Sequence, residues 1–138
     1  MHKEILKAWD ARNHKVLDWI KELDMDDIEY MSLFDNTIKI LFDRYDDEID
    51  TIDFARDEIV EIDHGSYQGD LIFIIHESGY QPDPSCYWWT SVSYGSCSGC
   101  DTLMGITNYE SGKPNESQAK ELWTLCLHMM QKMKKLEE

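Results

Sequence analysis

No apolar run in this 138-residue chain reaches the ~18 residues that a membrane span requires. Nor does an apolar stretch follow the opening Met1-His2-Lys3-Glu4, so no signal peptide is expected. The expected compartment is therefore reducing and cytoplasmic. There the four cysteines read as thiols or metal ligands rather than bridges. Bases are scarce, 13 against 28 acids, for a formal net charge of -15. Such a field disfavours direct binding to nucleic acid or to an anionic membrane. Also absent are a phosphate-cradling glycine loop, an HExxH pair, a nucleophile elbow and a dinucleotide fingerprint. Catalysis thus lacks its usual sequence support. No internal repeat or low-complexity linker interrupts the chain.

What is present suffices for a core. The chain is 42% hydrophobic and 12% aromatic, unlike a disordered acidic tail. Its length fits one domain of ~100–150 residues, with a helical half over 1–56 and a sheet plus closing helix over 57–138. Helical spacing of Ile5, Leu6, Trp9, Val16, Leu17, Ile20 and Leu23 predicts a helix near 3–22. A second helix is expected near 27–45, capped by Asp26 or Asp27. Strands are expected near 58–63, 70–76 and 86–94, the middle one being the β-branched run Leu71 to Ile75, read as buried on both faces. The loop from His64 to Asp70 carries Gly65 and Gly69, which tolerate φ > 0. Asn115 followed by Gln118 has the form of a capping box and opens a last helix near 116–135. Short links favour an antiparallel meander. The expected fold is α+β, a small antiparallel β-meander packed with N-terminal and C-terminal helices. The expected core comprises Ile5, Trp9, Ile20, Leu41, Ile72, Ile74, Trp88, Val92, Leu122, Cys126 and Met129. Five tryptophans favour a homodimer.

The charge is concentrated. Residues 24–63 hold fifteen acids and three bases, a net of -12. Solubility does not require so much charge in one segment. On a continued helix, Asp43 and Asp47, Asp46 and Asp50, and Asp53 and Asp57 stand at i,i+4 spacing on one face, with Glu48 beside them. Such a face matches a groove meant for phosphates and suits a basic protein surface. The bland alternative is a solvated acidic face with no partner.

The string Gly95-Ser96-Cys97-Ser98-Gly99-Cys100-Asp101 supports three readings. Cys97 and Cys100 have redox-dithiol spacing, though Asp101 beside them opposes a thiolate. They supply two of the four ligands that a structural zinc needs. Cys86 is a distant third, Cys126 sits in an apolar stripe, and no stoichiometric metal or other cofactor is expected. Structurally, Gly95 and Gly99 allow a tight loop with small thiols filling space. A separate possibility is a small metal-dependent hydrolase. Glu58, Glu61 and Asp63 line one strand, Glu61 and Asp63 opposite Ile62, with Asp101 and His64 approaching them.

The stretch Gly65-Ser66-Tyr67-Gln68-Gly69-Asp70, followed by a β-run and then Tyr94-Gly95-Ser96-Cys97-Ser98-Gly99-Cys100-Asp101-Thr102-Leu103, resembles uncharacterised small acidic proteins of bacteriophages and prophages. The resemblance extends over residues 60–136 and brings no catalytic residue with it. It implies a cytoplasmic protein of the bacterial host cell, active during infection or kept in a prophage. It also favours a non-enzymatic role on a basic host protein.

Overall fold

Helix α1 (Lys3–Ile20) opens at His2, whose Nδ1 accepts from the Glu4 amide at 3.2 Å. Its buried stripe is Ile5, Ala8, Trp9, Arg12, Val16 and Ile20. The computed structural model describes residues 1–43, 52–65, 68–79, 83–95 and 101–136. After α1 come a 3-10 turn (Met25–Asp27), α2 (Tyr30–Leu41) and a second 3-10 turn (Arg56–Glu58). Strands β1 (Val60–Gly65) and β2 (Gly69–His76) follow, then a turn at Pro84–Cys86 and β3 (Tyr87–Tyr94). The chain closes with α3 (Thr102–Thr107), α4 (Glu116–Gln131) and β4 (Lys134–Lys135).

The fold is α+β. Four strands in the order β1-β2-β3-β4 pair antiparallel, flanked by the N- and C-terminal helices. The β1–β2 hairpin closes on Gly65 opposite Gly69. A Cβ at Gly69 would stand 2.2 Å from the His64 carbonyl, and one at Gly65 would stand 2.4 Å from the Gln68 carbonyl. Two bare backbones therefore let the strands meet there. One buried cluster draws on α1, α2, β2, β3, α3 and α4. Phe34 of α2 stacks on Phe73 of β2 at 5.1 Å. On the α4 side, the hydroxyl of Thr90 in β3 donates to the Met129 carbonyl at 2.7 Å. The Asn115–Gln118 capping box is present, each side chain bonding the other residue's amide.

Tertiary context altered several expectations. Ile72 and Ile74 are half-buried; Phe73 and Ile75 are the fully buried residues of β2. The helices cover only one face of the sheet, and the register puts Phe73 and Ile75 on it with Thr90 and Trp88. Helix α2 starts at Tyr30 because Asp24 caps the separate turn before it, and the Glu29 amide donates to the Ser32 hydroxyl at 3.1 Å. It ends at Leu41, short of residue 45. Helix α4 stops at Gln131 because Lys134 and Lys135 pair with Trp89 and Trp88 as an edge strand. Leu136 is exposed and continues that ladder through its amide to the Tyr87 carbonyl. Six-residue α3 is too short for periodicity to reveal.

Candidate functional site

The acids of 24–63 do not form one helical face. Asp24, Asp26, Asp27 and Glu29 lie before the N-terminus of α2. Asp43, Asp53 and Asp57 lie beyond its other end, about 18 Å away along a helix of this length. Asp53 and Asp57 are not an α-helical i,i+4 pair. Asp53 belongs to an extended piece whose carbonyl accepts from the Ser78 amide at 2.7 Å, and Asp57 sits in a 3-10 turn. All three are exposed. Asp46, Asp47, Glu48 and Asp50 lie outside the described residues.

Asp43, Asp53 and Asp57 share one cleft of about 540 Å³ with Lys39, Phe42, Phe54, Arg56 and Ser78. Its aromatic floor is the edge-to-face pair Phe42 and Phe54, 4.9 Å apart. Phe54 continues onto the fully buried Trp88 at 5.9 Å. Arg56 is turned toward Asp35 at 3.6 Å. Of the acids described in 24–63, only Asp35 is not exposed. The cleft thus combines surface carboxylates with an apolar floor, a combination suited to a basic side chain with a long aliphatic stem.

Two polar anchors support this end of the molecule. Arg12 is fully buried, and its Nη1 donates to the Leu41 carbonyl at 2.6 Å. A cation there faces the negative end of α2. The second anchor is His76, largely buried, with Nδ1 at 2.8 Å from the Glu77 carbonyl and Nε2 at 2.5 Å from the Glu58 carboxylate. Two acceptors suit two N–H donors, the protonated ring. The Glu77 carbonyl and then Glu58 raise the His76 pKa, while burial opposes them. Glu77 also accepts from the Trp88 indole at 3.1 Å.

Asp101 is buried and accepts three hydrogen bonds. It caps α3 by accepting from the Met104 amide at 3.1 Å, accepts from the Tyr30 hydroxyl at 2.7 Å and accepts from the Gly95 amide at 3.1 Å. Its carboxylate thus joins the two ends of the loop that carries the cysteine pair. Cys97, Gly99 and Cys100 lie outside the described residues. Cys86 stands just before β3 and Gly95 just past its end, about 30 Å apart at ordinary strand rise. Cys126 is fully buried, and burial pushes its thiol up to about 12.

Glu61, Asp63 and His64 are exposed on β1. Glu61 and Asp63 do alternate with Ile62, as expected. Asp63 accepts a short hydrogen bond from the Tyr94 hydroxyl, whose pKa is pushed up to about 12 chiefly by that carboxylate. Among the described residues, no three His, Cys, Asp or Glu side chains are grouped to hold a metal ion. Glu61, Asp63 and Asp101 are not brought together as such a set. No helix among the described residues is long and apolar enough to cross a membrane.

Sequence reasoning passed over Arg12, Tyr30 and His76. Arg12 carried a signal: it falls on the helical stripe between Trp9 and Val16, where a cation must be paired to be buried. His76 and Tyr30 carried none, because their partners are 18 and 71 residues away. Compared with protein-family models, curated proteins and solved structures, the chain matches none.

Proposed function

We propose that this chain is a non-enzymatic accessory protein of phage type. It binds a basic surface of a host protein through the acidic segment 24–63. The observation that carries the reading is the exposed triplet Asp43, Asp53 and Asp57 around an aromatic-floored cleft, within a segment of net charge -12. Its sharpest form is an inhibitor that occupies the phosphate-binding groove of a DNA- or RNA-handling enzyme. Complementary fields would speed encounter, and the apolar floor would slow release.

The test is capture of host proteins from lysate by the full chain at low and high salt. An electrostatic partner should elute as salt rises, since the screening length is about 10 Å at 0.1 M. Charge reversal at Asp43, Asp53 and Asp57 should weaken the same capture, with circular dichroism confirming the fold. Capture unchanged by both salt and the three reversals would remove this cleft as the binding site.

A further inference from the structure

We infer that the outer edge of β1 is a docking strand for an extended segment of another protein, one that alternates basic and apolar residues. It rests on the proposed function for the basic character of the partner.

β1 is the terminal strand of the sheet, and all six of its residues are exposed. Among the described residues, no backbone bond reaches its outward edge. Such an edge presents a row of unpaired amides and carbonyls that can template another strand. At the far end of the sheet, β4 has only two residues.

The side chains of β1 specify the occupant. Val60 is 51% exposed and Ile62 is 44% exposed. In register, Val60 continues across Ile74 to Trp89, and Ile62 continues across Ile72. This face of the sheet is half-open, apolar from Val60 to Ile62 and polar beyond, where Ser91, His64, Asp70 and Ser93 follow. The opposite face of β1 carries Glu61 and Asp63, both exposed. A fitting strand therefore places an aliphatic residue beside Val60 and Ile62 and a lysine or arginine beside Glu61 and Asp63. Asp57, exposed in the turn just upstream, adds negative charge at this end of the strand.

A second copy of β1 does not fit. Antiparallel self-pairing that sets Val60 opposite Ile62, or that aligns five of the six β1 residues with the apolar faces together, centres on residue 61, 62 or 63. These registers oppose Glu61 to Glu61, Glu61 to Asp63, or Asp63 to Asp63. Like charges directly opposite destabilise a ladder. The acids thus reject self-association and acidic strands, and admit a basic one.

The test uses the full chain and capped ten-residue peptides of alternating valine and lysine, or valine and glutamate. Amide hydrogen exchange of Val60–Gly65 is read by NMR. The valine–lysine peptide should slow exchange of the outward β1 amides by about tenfold or more, and the valine–glutamate peptide should leave them unchanged. E61K should reverse that preference, with the thermal midpoint checking the fold; the two-peptide comparison on the unaltered chain needs no variant. Equal protection by both peptides, binding of the lysine peptide without β1 protection, or protection that grows with protein concentration alone would each overturn the inference. Host capture abolished by the Asp43, Asp53 and Asp57 reversals, with β1 still unprotected, would leave the proposed function standing and remove the docking strand. Protected β1 without host capture would do the reverse.

Discussion

The Tyr30 hydroxyl donates to the Asp101 carboxylate at 2.7 Å and accepts from the Leu103 amide at 3.0 Å. The first residue of α2 thus holds the first turn of α3, and the Gly95 amide completes the carboxylate's shell. Burial, and then the bond to Asp101, raise the Tyr30 pKa well above the ordinary phenol value. Tyr30 therefore stays a phenol, able to donate to Asp101, at any physiological pH. An acid spent in this way ties the end of β3 to the start of α3.

Asp101→Ala should cost about 2–4 kcal/mol, combining a lost helix cap with a buried amide left without its acceptor. Tyr30→Phe should cost about 1–3 kcal/mol. Urea unfolding followed by circular dichroism measures both. If neither variant shifts the midpoint, the network has no structural role.

Arg12→Ala should cost about 2–4 kcal/mol, from the lost charge-assisted hydrogen bond to the Leu41 carbonyl and the cavity left behind. Arg12→Lys should recover part of this loss, since a point charge still reaches the end of α2. Denaturant melts of the two variants check the order.

His76 gives stability a defined pH slope. Its folded pKa lies above the unfolded value near ~6.5, first through the Glu77 carbonyl and then through Glu58. The stabilisation is complete below about pH 6.5 and is lost as pH rises through the folded pKa. The difference in unfolding free energy between the native chain and His76→Asn should therefore shrink on raising the pH. Glu58→Gln should reduce that slope without removing it, because the Glu77 carbonyl remains. An NMR titration of the His76 ring that finds a pKa at or below the ordinary value would reject this account.

Gly69→Ala should loosen the β1–β2 hairpin and cost about 1–3 kcal/mol, as for other forced overpacking. The contact at fault is backbone, the His64 carbonyl at 2.2 Å from the new Cβ, so no side-chain rotation relieves it. Hydrogen exchange of the Ile62–Ile72 ladder reads the local loss directly.

In a chain with Cys97 and Cys100 replaced by serine, the half-buried Cys86 should react with a thiol reagent at pH 8. Cys126 should stay silent until the chain unfolds, since its thiol is buried and its pKa is near 12. Rapid labelling of Cys126 in the folded chain would show that α4 opens far more readily than its packing implies.

The sequence alone determined the α+β class, the two long terminal helices and the glycine-closed hairpin. Each rests on local chemistry: a helical stripe from Ile5 to Ile20, a capping box at Asn115 and Gln118, and two residues without a Cβ at 65 and 69. Tertiary structure decided the rest. Leu71 to Ile75 is apolar at every position, so it has no period from which to read a face. Packing of the helices on one face, with Phe34 stacked on Phe73, put Phe73 and Ile75 in the core. Lys134 and Lys135 continue a helical pattern, yet the backbone of Trp88 and Trp89 draws them into the sheet. Lys135 then stands 5.4 Å from the Trp88 ring. The acids of 24–63 were countable in the sequence, but their dispersal to both ends of α2 was not. Charge is a sum over residues, while a surface depends on where the backbone turns, and here Leu41, Arg12 and the Phe54–Glu77 bridge set those turns.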